Sequence, residues 1–319
     1  MKKVLVTGTC GFIFSNFIRK AIYSRSDIDI VCVDKVINPK TLNNVYVNKR
    51  SNMYIADVAD PHIMDVIFNK ERPDIVIHGA AESSVDFSIK DPLPFVHSNV
   101  MGTQVITNAC VKYDIEKLIY ISTDEVYGHL VNESDPAWVE TAPLAPRNPY
   151  SASKAAGEFI VQAANATHGL KYNITRSCNN LGPRQLTLHN LIPKTIGSIL
   201  NKKPITIHGQ GTQLREWIFV DDNCDAVMTI MDKAPANEIY NISAGYETTV
   251  LEIVNDICNI MESGHDLITF VEDRKGQDHR YSVNANKLRA LDWKPNFKYK
   301  EGLSACINWY CRNTWVFNR

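Results

Sequence analysis

The stretch VTGTCGFIFSNF, Val6 to Phe17, decides the fold: an apolar run enters a turn holding Gly8 and Gly11 and leaves as a candidate helix. Glycines at Gly8 and Gly11 allow a tight turn and let backbone N–H groups at a helix start approach a pyrophosphate. By itself the turn is weak evidence, because any strand-to-helix connection can use glycines. Three residues beyond Gly11 stands Phe14, where a third glycine would normally permit close helix-to-strand packing. The Phe is therefore expected to hold the first helix slightly off the sheet, or to turn its ring into space left by small neighbours such as Ser15.

Working outward, short β-branched runs recur: DIVCVD ending at Asp34, NMYIAD at Asp57, DIVIHGAA at Ala81 and KLIYIST at Thr123. Helix-length segments separate them, so the order is β-α-β-α and right-handed crossovers make the sheet parallel. The runs are apolar throughout, as strands covered by helices on both faces must be. The fold class is α/β, a doubly wound parallel sheet of the Rossmann type. A loop rich in Pro and acidic residues (129–149) precedes a helical run from Tyr150 to His168, and the strand YNITRS closes the nucleotide-binding part. The expected domains are 1–177 and 178–319, the latter a smaller α/β substrate lobe with some segments returning to the first.

A chain of 319 residues can bury one large core or two joined ones, and a net charge of -1 without like-charge blocks favours neither nucleic acid nor an anionic membrane as partner. Eight cysteines without a CxxC pair argue against a disulfide framework or a metal site and fit a reducing cytoplasm. No apolar run is long enough to span a bilayer. A small molecule is the expected ligand.

Ligands of doubly wound sheets lie past the carboxyl ends of the strands. Asp34, roughly 20 residues past the glycine turn, can accept bonds from ribose hydroxyls and would repel a 2′-phosphate, which favours NAD over NADP. Lys35 beside it weakens that preference, and Asp57 could border the adenine. Tyr150 and Lys154 lie four apart on one helix face, where an ammonium would lower the phenol pKa toward a working base. Thr123, Asp124 and Glu125 follow one another as the fifth strand leaves the sheet; two carboxyls in unlike surroundings can serve as acid and base. Each feature also has a bland reading: a helix cap, an acidic turn, a chance spacing.

Together, TGTCGFI, HGAAESSVD, STDEVYG, YSASK, TRSCNNLGPRQ, REWIFVDD, YNIS and DRKGQDHRYS give a chain that resembles the extended short-chain dehydrogenase/reductase family, and within it the dTDP-glucose 4,6-dehydratases. The resemblance implies NAD as cofactor and a sugar nucleotide as substrate. Tyr150, supported by Lys154 and Thr123, would deprotonate the glucose 4-hydroxyl as hydride leaves C4. Glu125 would take the C5 proton while Asp124 protonates the departing 6-hydroxyl, and hydride would return to C6. By the same resemblance, Phe12, Ile13, Asp34, Lys35, Asp57, Val58, Ala80, Ala81, Ser98 and Asn179 match cofactor positions. Ser83, Asn180, Arg215, Asn241, Asp273 and Arg274 match positions around the sugar nucleotide. A homodimer is also implied, through the helix before KLIYIST and the helix carrying Tyr150.

Departures lie mainly toward the nucleotide: Asn190 stands where the family often has Lys, His208 where it has Tyr, and Gln277 where it has His. Ser84 replaces a His nearer the sugar. These leave dTDP-glucose and UDP-glucose as rival substrates, with a UDP-N-acetylhexosamine also open. The rival activities are a 4-epimerase or decarboxylase on the same scaffold and a non-enzymatic NAD-sensing module.

Overall fold

The computed structural model describes residues 1–272 and 278–318. Seven parallel strands form the main sheet: β1 (Lys2–Thr7), β2 (Ile28–Asp34), β3 (Ser51–Ile55), β4 (Ile75–His78), β5 (Lys117–Thr123), β6 (Tyr172–Ser177) and, from far later in the chain, β10 (Glu238–Ile242). Their spatial order is β3-β2-β1-β4-β5-β6-β10. Connections run one way from β1 and the other way from β4, so a crevice opens beyond the carboxyl ends of these two strands.

Alternate strand residues serve opposite faces. Val4, Val6, Ile30 and Cys32 join one buried cluster, whereas Leu5, Val31 and Val33 join the other. On the first face lies α1 (Phe12–Ser24), which buries Phe14, Phe17, Ile18, Ala21 and Ile22, a stripe at helical spacing. On the second lie α2 (Pro61–Glu71) and the run of α3 (Val85–Lys90), α4 (Leu93–Phe95), a π turn (Val96–Met101) and α5 (Gly102–Lys112), together with α6 (Pro149–His168).

Phe14 finds its room in an unexpected place. A Cβ built on Gly79, just past β4, would come within 2.0 Å of Phe14 Cε2. The glycine missing from the turn has in effect moved to the neighbouring strand end, and Gly79, not Ser15, supplies the space. The ring is 4 % exposed and sits in the helix–sheet core beside Phe17. Strand β4 also stops at His78 rather than Ala81, because the N–H groups of Gly79 and Ala80 turn to the Thr7 hydroxyl, at 3.1 and 3.0 Å.

The start of α6 is fixed by a capping box. Asn148 Oδ1 accepts from Ser151 N at 2.8 Å, Ser151 Oγ accepts from Asn148 N, and Pro149 takes the first helical position. Gly169, at φ 73, ends the helix in the left-handed region that suits a residue without Cβ.

The second lobe holds a three-stranded sheet of β7 (Asn179–Leu181), β9 (Leu214–Phe219) and β11 (Glu247–Thr249), and a parallel pair, β8 (Ile205–His208) with β12 (Ile268–Val271). Helices α7 (Leu191–Leu200), α9 (Val250–Ile260) and α11 (Tyr299–Arg312) close a separate core around Ile196, Ile253, Ile257 and Leu303. Helix α8 (Val220–Lys233) instead buries Val227, Ile230 and Met231 with α1, and β10 pairs with β6, so this segment returns to the main sheet. The short α10 (Asn286–Arg289) follows it in the chain. No described helix is long and apolar enough to cross a membrane.

Candidate active site

A cleft of about 1110 Å³ lies between the carboxyl ends of the main sheet and the second lobe. Its floor begins at the glycine turn. Gly8 has φ 79, and a Cβ there would sit 2.9 Å from the backbone of Ala80; a Cβ on Gly11 would sit 3.1 Å from Gly8 O. Position 8 therefore requires glycine, and at Gly11 a side chain would crowd the turn. Gly11 caps α1 without a side-chain bond, and no acid occupies the first turn. The free N–H groups and the positive end of α1 suit a phosphate.

Asp34, at the end of β2, also lines the cleft, and its carboxylate accepts from Cys10 N and Val36 N at 2.9 and 2.8 Å. Lys35 reaches Glu82 at 3.5 Å and Asp57 at 3.9 Å. Phe12, Ile13, Lys35, Val58, Ala80, Ala81, Ser98 and Asn179 complete the wall here. Asp57 stands outside it, accepting from Ala59 N and facing His97 at 3.5 Å. These residues fit a dinucleotide: a glycine turn packed closely on the end of β4, an uncapped helix start, and a carboxylate one strand away.

At the reactive end, Thr123 ends β5 and a 3-10 turn, Asp124–Tyr127, follows. Thr123 Oγ1 accepts from Glu125 N at 3.4 Å and donates to Asp124 Oδ1 at 3.2 Å. Asp124 is 3 % exposed and its Oδ2 finds no partner among the described residues. Burial raises its pKa well above the usual carboxylate range, and the charges of Glu125 and Glu216 add to the effect. Glu125 is less enclosed. Burial raises it too, but Asn148 Nδ2 donates to its Oε2 at 3.1 Å and the nearby Arg215 charge favours the ionised form.

Tyr150 and Lys154 share a face of α6 as their spacing predicts, and both line the cleft. The expected lowering of the phenol pKa is not what the structure shows. Burial raises Tyr150, the charges of Glu125 and Asp124 raise it further, and only a hydrogen bond with Thr123 opposes them. The Lys154 ammonium lies 4.4 Å from the Tyr120 ring centroid, and burial pushes its pKa down to about 7 against the pull of Glu158. A side chain long enough to settle on a neighbouring ring does not have to meet its partner across one helical turn.

Toward the second lobe, Ser83, Asn180, Asn190, His208 and Arg215 line the cleft. Arg215 is braced by carbonyl oxygens, Leu214 O at 2.7 Å and Asp278 O at 3.0 Å, with its guanidinium 4.8 Å from the Tyr281 ring centroid. Ser84 caps α3, accepting from Phe87 N at 3.3 Å. Asn241 stands apart from the cleft: fully buried, it accepts from the Tyr127 hydroxyl at 2.8 Å and donates to Trp138 O and Asn284 O. Its amide ties the 129–149 loop to β10 instead of facing a ligand. Asp273, Arg274 and Gln277 lie outside the described residues.

Two positioning residues were not anticipated. Asn148 both caps α6 and steers Glu125; the Asn-Pro pair ahead of YSASK is the signal that could have found it. Asn99 accepts from Glu82 N at 2.8 Å, donates to Glu82 O at 2.9 Å and donates to Ser153 Oγ at 2.8 Å, linking the loop after β4 to α6. Nothing local in the sequence marks that role.

The family described as "NAD dependent epimerase/dehydratase family" matches residues 4–243. The Haloferax volcanii low-salt glycan biosynthesis protein Agl12 is 40% identical over 310 residues, covering 96% of this chain and 98% of that protein. A dTDP-glucose 4,6-dehydratase of Haemophilus influenzae is 39% identical, covering 98% of this chain and 99% of its own. Among solved structures, DesIV (dTDP-glucose 4,6-dehydratase) from Streptomyces venezuelae, crystallised with NAD, superposes with a TM-score of 0.92 at 33% identity and covers 98% of each chain.

Proposed function

Since the chain belongs to the NAD-dependent epimerase/dehydratase family, we propose that it is a nucleotide-sugar 4,6-dehydratase, converting dTDP-glucose or UDP-glucose to the 4-keto-6-deoxy sugar nucleotide. Its cofactor is NAD, as expected of the family and in keeping with the dinucleotide cradle. When bound, NAD supplies a reversible hydride acceptor, needed first at C4 and then in reverse at C6.

The chain's own residues do the proton work. Tyr150, in its phenolate form, takes the 4-hydroxyl proton; of the groups around it, Thr123 is the one that favours that form. The 4-ketone then acidifies the C5 hydrogen. Glu125, in which Asn148 and Arg215 oppose the raising effect of burial, removes that proton as the C5–C6 double bond forms. The C6–O bond breaks, and Asp124 gives its proton to the departing hydroxyl, so water leaves. The observation that carries this reading is the contrast within the acid pair: Asp124 is buried with an oxygen that has no partner among the described residues, whereas Glu125 is held by an amide. A 4-epimerase or a decarboxylase needs no acid at the 6-hydroxyl.

Protein incubated separately with dTDP-glucose, UDP-glucose and UDP-N-acetylglucosamine, without added NAD, should yield from dTDP- or UDP-glucose a product lighter by one water, read by mass spectrometry. No water loss from any of the three would sink the proposal. The cytoplasmic setting stays part of it, as does the homodimer. Phe159 is 58 % exposed beside a groove lined by Val111, Ile160 and Ala163 of α5 and α6, and a solution mass of one chain would contradict that pairing.

A further inference from the structure

The segment leaving β2 is fastened more firmly than proton chemistry requires. Residues 35–45 cross the end of the cleft where folds of this kind hold adenosine, and Ile37, Asn38, Lys40 and Thr41 line it. Asp34 secures the entry through its bonds to Cys10 N and Val36 N. Val36 itself stands at φ 52, where β-branched residues are rare, so its surroundings impose the conformation. Asn44, 2 % exposed, secures the exit, donating to Cys10 O at 3.0 Å and Arg184 O at 3.1 Å. One amide thus ties the segment to the glycine turn and to the second lobe.

The third anchor is the turn Thr314–Phe317 and the residue after it. Lys40 Nζ donates to Val316 O at 3.5 Å and to Asn318 O. Val316 is 1 % exposed and lines the same cleft. The Phe317 ring rests on α7, where a Cβ on Gly197 would meet it at 2.7 Å. The final turn, Thr314–Phe317, is therefore wedged into the second lobe, and Lys40 pins the segment to it.

We propose that residues 35–45 form a strap that retains the dinucleotide throughout turnover, with Asn44 and Lys40 as its positioning residues and the final turn as its anchor. The proposal rests on the dehydratase reading: a cycle that removes and returns hydride on one sugar fails if the dinucleotide leaves midway. Retention requires that several distant anchors release before the adenosine end opens.

The test uses full-length protein loaded with NAD, with bound nucleotide followed by chromatography after dilution into a nucleotide-free buffer. Lys40→Ala should release NAD roughly tenfold faster than wild type, equivalent to about 1.4 kcal/mol, as a lost charge-assisted hydrogen bond would give. Lys40→Arg, which keeps a cationic donor, should stay near the wild-type rate, and excess NAD should restore turnover of the Ala variant. Equal release from wild type and Lys40→Ala overturns the strap. So does a wild-type protein that loses its NAD in one gel-filtration step, or an Arg variant as leaky as the Ala variant. Release is read on resting protein, so it is independent of whether any sugar nucleotide loses water.

Discussion

Replacing Gly79 by Ala tests how this chain tolerates Phe14. The new methyl would meet Phe14 Cε2, Cδ2 and Cζ at 2.0, 2.5 and 2.9 Å. Ordinary contact begins at 3.4 Å, so the ring would have to retreat by 3.4 − 2.0 = 1.4 Å. It has little room, being 4 % exposed with the Phe17 ring 5.7 Å away. Overpacking of this kind costs about 1–3 kcal/mol. Gly79 is not among the residues at positive φ, so backbone strain does not confuse the result. Phe14→Ala alone should cost about 3–5 kcal/mol by opening a cavity. In that background the Gly79 methyl enters vacated space, and its cost should vanish or reverse. Urea unfolding of the four nucleotide-free proteins gives the coupling energy. If Gly79→Ala costs the same in both backgrounds, to within about 0.5 kcal/mol, Phe14 is not what requires the glycine.

Two further outcomes concern the site. Glu125→Gln should slow water loss by roughly 10²–10⁴-fold, yet still allow substrate to reduce part of the bound NAD, seen in its near-ultraviolet absorbance; equal loss of both signals would contradict its role as the C5 base. Lys154, buried with a folded pKa of about 7, binds fewer protons folded than unfolded between that value and the ordinary lysine value of 10.5. Its charge therefore destabilises the nucleotide-free protein fully below pH 7, and the penalty fades as pH rises through that window. Lys154→Met should accordingly gain roughly 3 kcal/mol more stability at pH 6 than at pH 9, and an equal gain at both would refute the shift.

What the chain revealed in advance follows from the range of the forces involved. KLIYIST and YNITRS are legible because an apolar run between polar turns is a local pattern, and they form β5 and β6 over those spans. The glycine turn and the residues after each strand were legible for the same reason, since the fold brings strand ends together. The destination of EIYNIS was less so: its place beside β6 depends on α8 packing against α1, a contact between halves of the chain. Gly79 receiving Phe14, Lys154 settling over Tyr120 and Asn241 turning inward are likewise choices made among side chains distant in sequence. Matching by motif carried Asn241 to the cleft; the hydrogen bonds of its amide place it in the loop scaffold instead.

The acid pair rides on the 3-10 turn after β5, and that geometry acts as a reading frame. With about three residues per turn, successive side chains point roughly 120° apart, so adjacent positions see different surroundings. Which carboxyl is buried and which meets Asn148 is set by distance along the chain from Thr123, whose hydroxyl receives Glu125 N. A substitution in this turn changes one group and leaves the other in its own setting. One inserted residue would instead shift the phase, turning each carboxyl away from its own setting while leaving the composition of the site intact.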